Sequence, residues 1–332
     1  MILITGGAGY IGGHMVRGLL DAGEKPVVID NMSNGVAWAV PAGVPFVLGD
    51  SGDYETVARV IAQHRIDAVI HFAGRLITPH LYNDPLEYYL ANTVKTRTLL
   101  AAVQDSGIRH FVFSSTAAVY GNPPVNPVPE TAPLAPTSAY GSSKLMTETM
   151  LHDLASVCDL NYVALRYFNV AGADPEARYG QSTTKTTLLV QIAAQAALGF
   201  RPFVEIYGDD YPTADGTCVR DYIHVTDLVD AHLAAIRYLR GGGKNLIANC
   251  GYGRGYSVKQ VLDMAEKLSG RRFERHIGPR RRGDATEVVA EANLIRAELG
   301  WRPQYNDLAT IVQHALNWEL RLQELYRFDI RQ

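Results

Sequence analysis

Tyr140 and Lys144 stand four positions apart at the start of a helical pattern, so they share one face. A free tyrosine titrates near pH ~10 and is a weak base at neutrality. A neighbouring ammonium favours the phenolate and lowers that value. A phenolate so placed can take the proton of a substrate hydroxyl. Thr116 ends the run Ser114-Ser115-Thr116 and adds a hydroxyl that can reach the same substrate oxygen. Taken alone, Tyr-x-x-x-Lys is common on helix surfaces, and a serine-rich strand end is often only a cap. Their weight comes from what precedes them.

The preceding signal is Gly6-Gly7-Ala8-Gly9-Tyr10-Ile11-Gly12, between a predicted strand and a predicted helix. Glycines let the backbone turn sharply and approach a pyrophosphate, which the helix N-terminus stabilises. The spacing is G-x-x-G-x-x-G rather than G-x-G-x-x-G. Asp30 follows Gly12 by 18 residues at a strand end. A carboxylate there accepts from ribose hydroxyls and repels a 2′-phosphate, which favours NAD over NADP. The positive nicotinamide of NAD would add a second charge that lowers the Tyr140 value, and Lys144 could hold its ribose. Asp50, after Gly49, and Phe72-Ala73-Gly74 close the next strands and would line the same crevice. Without that context each would read as a plain turn.

These residues need a scaffold that brings strand ends together. Met1–Thr5, Val27–Asp30, Phe46–Gly49, Ala68–Phe72 and Phe111–Ser115 read as buried strands. Tyr10–Asp21, Tyr54–His64 and Leu86–Ser106 read as helices between them. That alternation predicts an α/β fold, a Rossmann-like doubly wound parallel sheet. Asn122–Pro136 holds six of the sixteen prolines and reads as an extended loop. Ser138–Val157 then reads as a helix and Tyr162–Arg166 as a strand. From Pro175 the pattern is irregular, with loops at Tyr179–Thr187, Gly208–Gly216, Gly241–Gly243 and Pro279–Asp284. This predicts a smaller, interleaved C-terminal substrate domain. Residues 1–173 form the dinucleotide domain, with about 219–250 returning to it, and 174–332 form mainly the substrate domain. Gly251-Tyr252-Gly253-Arg254-Gly255 imitates a phosphate loop, but Ser257 can cap a helix there, and a turn is the preferred reading.

Composition narrows the class. The 332 residues are 47% hydrophobic and 20% charged, enough to bury a core. Lys+Arg 31 against Asp+Glu 34 argues against a nucleic-acid binder. Cys158, Cys218 and Cys250 are too few for a disulfide framework and suit a reducing cytoplasm. His71, His224 and His232 show no ligand spacing, so no metal is expected. No apolar run is long enough for a membrane span, and Met1–Thr5 lacks the features of a signal peptide.

Further motifs carry a resemblance. Val119-Tyr120-Gly121, Tyr140-Gly-Ser-Ser-Lys144, Leu165-Arg-Tyr-Phe-Asn169 and Asp215-Gly-Thr-Cys-Val-Arg-Asp-Tyr-Ile-His224 join the glycine turn, Phe72-Ala73-Gly74 and the Ser-Ser-Thr strand end. Together they resemble the extended short-chain dehydrogenase/reductases, across essentially the whole chain, and among these the nucleotide-sugar 4-epimerases. The resemblance implies tightly bound NAD and a UDP-sugar substrate. Tyr140 would take the 4-hydroxyl proton, with Lys144 and Thr116 beside it, and the sugar would be oxidised at C4, turned over and reduced on the other face. This interconverts UDP-galactose and UDP-glucose. At matching positions it implies cofactor contacts at Gly6, Gly9, Tyr10, Ile11, Gly12, Asp30, Asn31, Asn34, Asp50, Phe72, Ala73, Gly74, Asn92, Ser114 and Tyr167. It implies substrate contacts at Asn169, Thr187, Leu188, Tyr207, Arg220, Arg281, Asp284 and Val288, with Arg220 and Arg281 clamping the pyrophosphate. Bidentate arginines suit that task. It also implies a homodimer.

Departures from the family pattern matter. Where some members carry a cofactor-side lysine this chain has Leu76, preceded by Arg75. Val288 replaces a bulky tyrosine of some members, which leaves room for UDP-N-acetylhexosamines. Dehydratases of this type place Asp-Glu after the threonine; here Ala117-Ala118 cannot exchange protons, which favours epimerisation. Epimerases of UDP-xylose/arabinose or UDP-glucuronate stay open, as does a non-catalytic NAD-sensing protein, although the latter has no need of Tyr140 and Lys144.

Overall fold

The structure is a computed structural model describing residues 1–76, 84–183, 186–281 and 283–329. Its architecture follows from period-two alternation in the strands. Along β1 (Ile2–Thr5), Ile2 and Ile4 enter one apolar cluster and Leu3 enters another on the opposite face. In β2 (Pro26–Asp30), Val28 faces the first cluster, Val27 and Ile29 the second. β3 (Phe46–Leu48) follows as the edge strand. β4 (Ala68–His71) repeats the split with Ile70 and Val69, and β5 (His110–Thr116) with Val112 and Phe111. β6 (Asn161–Tyr167) does so with Leu165 and Ala164. A sheet apolar on both faces must be covered on both. Each large aliphatic side chain buried this way contributes roughly 1.5–3 kcal/mol.

The helices divide accordingly. α1 (Tyr10–Asp21) covers the first face with Met15, Val16 and Leu19. α2 (Tyr54–His64) covers the second with Val57, Val60 and Ile61. After α3 (Pro85–Tyr88), α4 (Lys95–Asp105) and α5 (Ala139–Ala155) complete that face with Leu99, Val103 and Leu151.

Beyond β6 the chain runs through β7 (Asn169–Ala171), α6 (Leu189–Ala197), β8 (Phe203–Tyr207) and β9 (Val219–His224). α7 (Val225–Arg240) then packs beside α1 on the first face, and β10 (Leu246–Cys250) joins the large sheet next to β6. β11 (Gly255–Ser257), α8 (Val258–Ser269), β12 (Glu274–Gly278), β13 (Glu287–Val288), α9 (Asn293–Leu299) and α10 (Leu308–Asp329) complete the order. The smaller region is built on α6, α8 and α10, which share a cluster that includes Val190, Leu262 and Ile311. β9 is flanked by β7, β11 and β13, and β8 pairs with β12.

The seven-stranded sheet is parallel throughout, in the order β3-β2-β1-β4-β5-β6-β10. Connections reverse direction between β1 and β4, and ligands bind at such a switch point, outside the strand carboxyl ends.

Two expectations are corrected. Leu86–Ser106 is not one α-helix: a π-helical turn at Tyr89–Val94 separates α3 from α4 and turns the Asn92 amide inward onto Arg75. π-turns of this kind are frequent at functional sites. β3 is not buried like its neighbours, because as an edge strand it leaves Phe46 and Leu48 exposed.

Candidate functional site

Parallel register brings Thr5, His71, Thr116 and Tyr167 to one edge of the sheet, with Asp30 at the end of the neighbouring β2. The glycine turn leaves that edge. Gly6 has φ +74°, and a Cβ there would lie 2.7 Å from the Ala73 backbone nitrogen. A Cβ on Gly12 would lie 2.1 Å from the Gly6 carbonyl oxygen. Gly9 gives α1 no side-chain cap, so the first-turn N–H groups suit an anionic acceptor. The Ala8 N–H donates to Asp30 Oδ2 at 2.9 Å and the Met32 N–H to Oδ1 at 2.8 Å, which fixes the carboxylate beside the turn. Each oxygen keeps a further lone pair for a ribose hydroxyl. These residues fit a dinucleotide.

Other expected cofactor residues are held in different ways. Tyr10 spends its hydroxyl on the Gly172 carbonyl at 2.7 Å, so only its backbone suits the turn, and Ile11 packs partly into the first cluster. Asn31 Oδ1 accepts from the Ser33 N–H. Asp50 is paired with Lys95 at 2.5 Å. The Phe72 ring packs 4.8 Å from that of His232, the Ala73 N–H points at Thr5 Oγ1 at 3.4 Å, and a Cβ on Gly74 would lie 2.7 Å from Asn92 Oδ1. The buried Asn92 amide is engaged with Arg75 and with Ser143 Oγ of α5.

The chemical centre lies at the end of β5. Ser138 Oγ accepts from the Gly141 N–H and starts α5, which carries Tyr140 and Lys144 into the interior, 7% and 4% exposed. The Thr116 hydroxyl accepts from the Ala118 N–H at 3.1 Å, and its side chain works to lower the Tyr140 phenol. Lys144 Nζ donates to the Ser114 carbonyl at 3.0 Å and lies 5.0 Å from the Phe113 ring centre. Ser114 Oγ and the Tyr167 hydroxyl are hydrogen-bonded below it. Burial pushes the Tyr140 phenol up to about 12 and pulls Lys144 down to about 8. The expectation that Lys144 lowers the phenol is therefore not met within the protein itself. Desolvation outweighs the lowering effect of the Thr116 side chain, and the ammonium is directed at a carbonyl and a ring. After Thr116 come Ala117 and Ala118 in a short 3-10 turn, and neither side chain can exchange a proton.

The expected substrate residues gather on the other side. Arg220 of β9 pairs with Asp284 at 3.3 Å, and the Arg281 guanidinium stacks 3.7 Å from the Tyr207 ring centre. A cleft of about 310 Å³ opens there, lined by Asn122, Asn126, Tyr211, Arg281, Asp284 and Thr286. Asn169 is exposed at the start of β7; Thr187 and Leu188 immediately precede α6. Val288 is in register with Arg220 but is buried in the large apolar cluster rather than lining this cleft.

The profile of the NAD dependent epimerase/dehydratase family matches residues 2–251. The chain belongs to this family. UDP-glucose 4-epimerase of Azospirillum brasilense is 51% identical over 323 residues, covering 97% of this chain and 93% of the relative. The crystal structure of UDP-glucose 4-epimerase from Brucella ovis in complex with NAD matches with a TM-score of 0.92 and 40% identity, over 95% of this chain and 97% of that one. The UDP-Glc/GlcNAc 4-epimerase of Campylobacter jejuni matches with a TM-score of 0.83 and 42% identity, over 96% and 99%.

This family member also has supporting residues that sequence reasoning missed. Glu148 accepts from Ser115 Oγ at 2.5 Å and from Arg166 at 3.0 and 2.6 Å, a buried pair tying α5 to β5 and β6. Glu148 follows Lys144 by four residues, so its helical face was readable; its partner was not. His71 bridges Thr5 Oγ1 at 2.6 Å and Thr96 Oγ1 at 2.8 Å, and burial, reinforced by the Lys144 charge, pulls it down to about 3. The Gly251–Gly255 loop is closed by the protein itself: Asp221 accepts from the Tyr252 and Gly253 N–H groups at 2.9–3.0 Å. Among the described residues no His/Cys/Asp/Glu cluster could hold a metal, and no helix is long and apolar enough to cross a membrane.

Proposed function

We propose that this chain is an NAD-dependent UDP-glucose 4-epimerase, interconverting UDP-galactose and UDP-glucose. The glycine turn and Asp30 would hold NAD, which would supply a reversible hydride acceptor for sugar C4 and a positive ring that favours the phenolate. Tyr140 Oη takes the 4-hydroxyl proton and gives it back, and the Thr116 hydroxyl orients the same oxygen. Lys144 holds Ser114 and the ribose side of the crevice. Arg220, Arg281, Asp284 and Tyr207 grip the UDP portion, with Asn169, Thr187 and Leu188 nearer the sugar. A firm hold on UDP and a loose hold on the hexose let the oxidised sugar present either face.

The observation that carries this reading is the buried Tyr140 and Lys144, docked through the Ser114 carbonyl at the end of β5 that carries Thr116, followed by Ala117 and Ala118. The pair suits proton removal at one hydroxyl, and the alanines offer nothing for an elimination. The test incubates the purified protein with UDP-galactose and separates the C4 epimers. UDP-glucose should form, and Tyr140→Phe should lower kcat by roughly 10²–10⁴. If the wild type forms no epimer, the reading fails. UDP-N-acetylglucosamine belongs in the same panel, since the Campylobacter jejuni relative's name favours an N-acetyl sugar as a second substrate.

The division of labour assigns NAD mainly to residues 1–173 with the returning α7 and β10, and UDP-sugar mainly to the rest of 174–332, Arg220 of β9 included. We also assign the protein to the cytoplasm, which its three free thiols suit, and to a homodimer. Leu86, Leu90 and Val94 recur at four-residue intervals, and with Met146 of α5 they are exposed on neighbouring elements. Such a patch favours association with a second copy.

A further inference from the structure

The geometry points to Arg75 as a strap across the dinucleotide crevice that slows the release of bound NAD, an inference that rests on the NAD reading above. Sheet order carries the argument. β1, which opens into the glycine turn, lies between β4 and β2. Arg75 follows β4, and Asn34 follows β2. With its amide turned to satisfy both of its neighbours, the Asn34 oxygen accepts from Arg75 Nη1 at 3.3 Å. A contact between these two loops crosses the carboxyl end of β1. The β2 loop is itself seated on the turn, with the Val36 N–H donating to the Ala8 carbonyl at 3.1 Å.

Both ends of the strap are anchored. Arg75 Nε donates to Glu87 Oε1 at 3.1 Å, and both side chains are about one-third exposed, at 33% and 28%. The Arg75 backbone is clasped by one side chain: its N–H donates to Asn92 Oδ1 at 2.7 Å, and its carbonyl accepts from Asn92 Nδ2 at 3.2 Å. Asn92 Nδ2 also donates to Ser143 Oγ at 3.0 Å, on α5 between Tyr140 and Lys144. The belt Asn34–Arg75–Asn92–Ser143 therefore links both sides of the crevice to the catalytic helix. A guanidinium held over a turn built for a diphosphate is matched to it in charge and in donor geometry.

The test uses the purified full-length protein and its variants Arg75→Ala and Glu87→Gln. Bound nucleotide is released with acid and quantified, and exchange of bound NAD against excess fluorescent etheno-NAD is followed in time. Arg75→Ala should exchange roughly tenfold faster than wild type, and Glu87→Gln faster by a smaller factor. Wild-type exchange by Arg75→Ala overturns the strap. If that variant does not fold, as judged by thermal unfolding in saturating NAD, wild-type exchange by Glu87→Gln overturns it instead. A wild-type protein that neither carries NAD nor takes up the etheno analogue would sink the NAD reading itself, whatever the variants do.

Discussion

Lys144 carries an ammonium into a pocket where it donates to the Ser114 carbonyl and lies over the Phe113 ring. Its value falls to about 8, from 10.5 in an exposed lysine. Between those pH values the unfolded chain holds one proton more than the folded one, so stability rises with pH across that window. Below it the charged form is penalised in full. Lys144→Met should therefore resist urea better than wild type at pH 7, by on the order of 1 kcal/mol, with an advantage that shrinks from pH 8 upward. A constant difference across that range would contradict the buried-ammonium account. The same burial pushes Tyr140 up to about 12, so the phenol is protonated at neutrality within the protein itself. Catalysis needs the opposite, which is why the cofactor's positive ring belongs in the proposed mechanism.

At the scale of elements, the strand–turn–helix at the N-terminus shows how much a spacing says. That glycines occupy positions 6, 9 and 12 is plain from the sequence; that they differ in necessity is not. Gly12 sits where a Cβ would meet backbone at 2.1 Å, whereas at Gly9 the nearest atom is 3.3 Å away and φ is an ordinary −83°. Gly12→Ala should lose about 1–3 kcal/mol of folding stability, while Gly9→Ala stays within about 0.5 kcal/mol of wild type. Urea midpoints measured on both would decide, and equal losses would refute the distinction. The π-helical turn at Tyr89–Val94 was invisible for a related reason. Its apolar spacing reads as continuous helix, and the Asn92–Arg75 clasp that accompanies the extra residue is a distant pairing.

For the whole molecule, the exposed Leu86, Leu90, Val94 and Met146 carry the assembly prediction. Sedimentation should give twice the chain mass for the wild type, and Leu90→Glu combined with Val94→Glu should give the monomer. A monomeric wild type at micromolar concentration would remove the dimer. Sequence could not separate these side chains from core ones, since a helix stripe facing a partner has the same periodicity as one facing a sheet.

Local patterns were legible because they depend on near neighbours. Strand alternation set the two-faced sheet, the glycine spacing set the turn, and Tyr140 with Lys144 declared a shared helix face. The resemblance supplied the reading of Arg220, Arg281 and Asp284. Long-range pairing decided the rest: Lys144 against the Ser114 carbonyl, Arg166 against Glu148, Asp221 inside the Gly251–Gly255 loop, Arg75 against Asn34. Those partners are far apart along the chain, and no periodicity encodes which distant side chain will arrive. Desolvation is likewise a property of the closed fold, so the direction in which Tyr140 and Lys144 shift could be known only once their surroundings were in place.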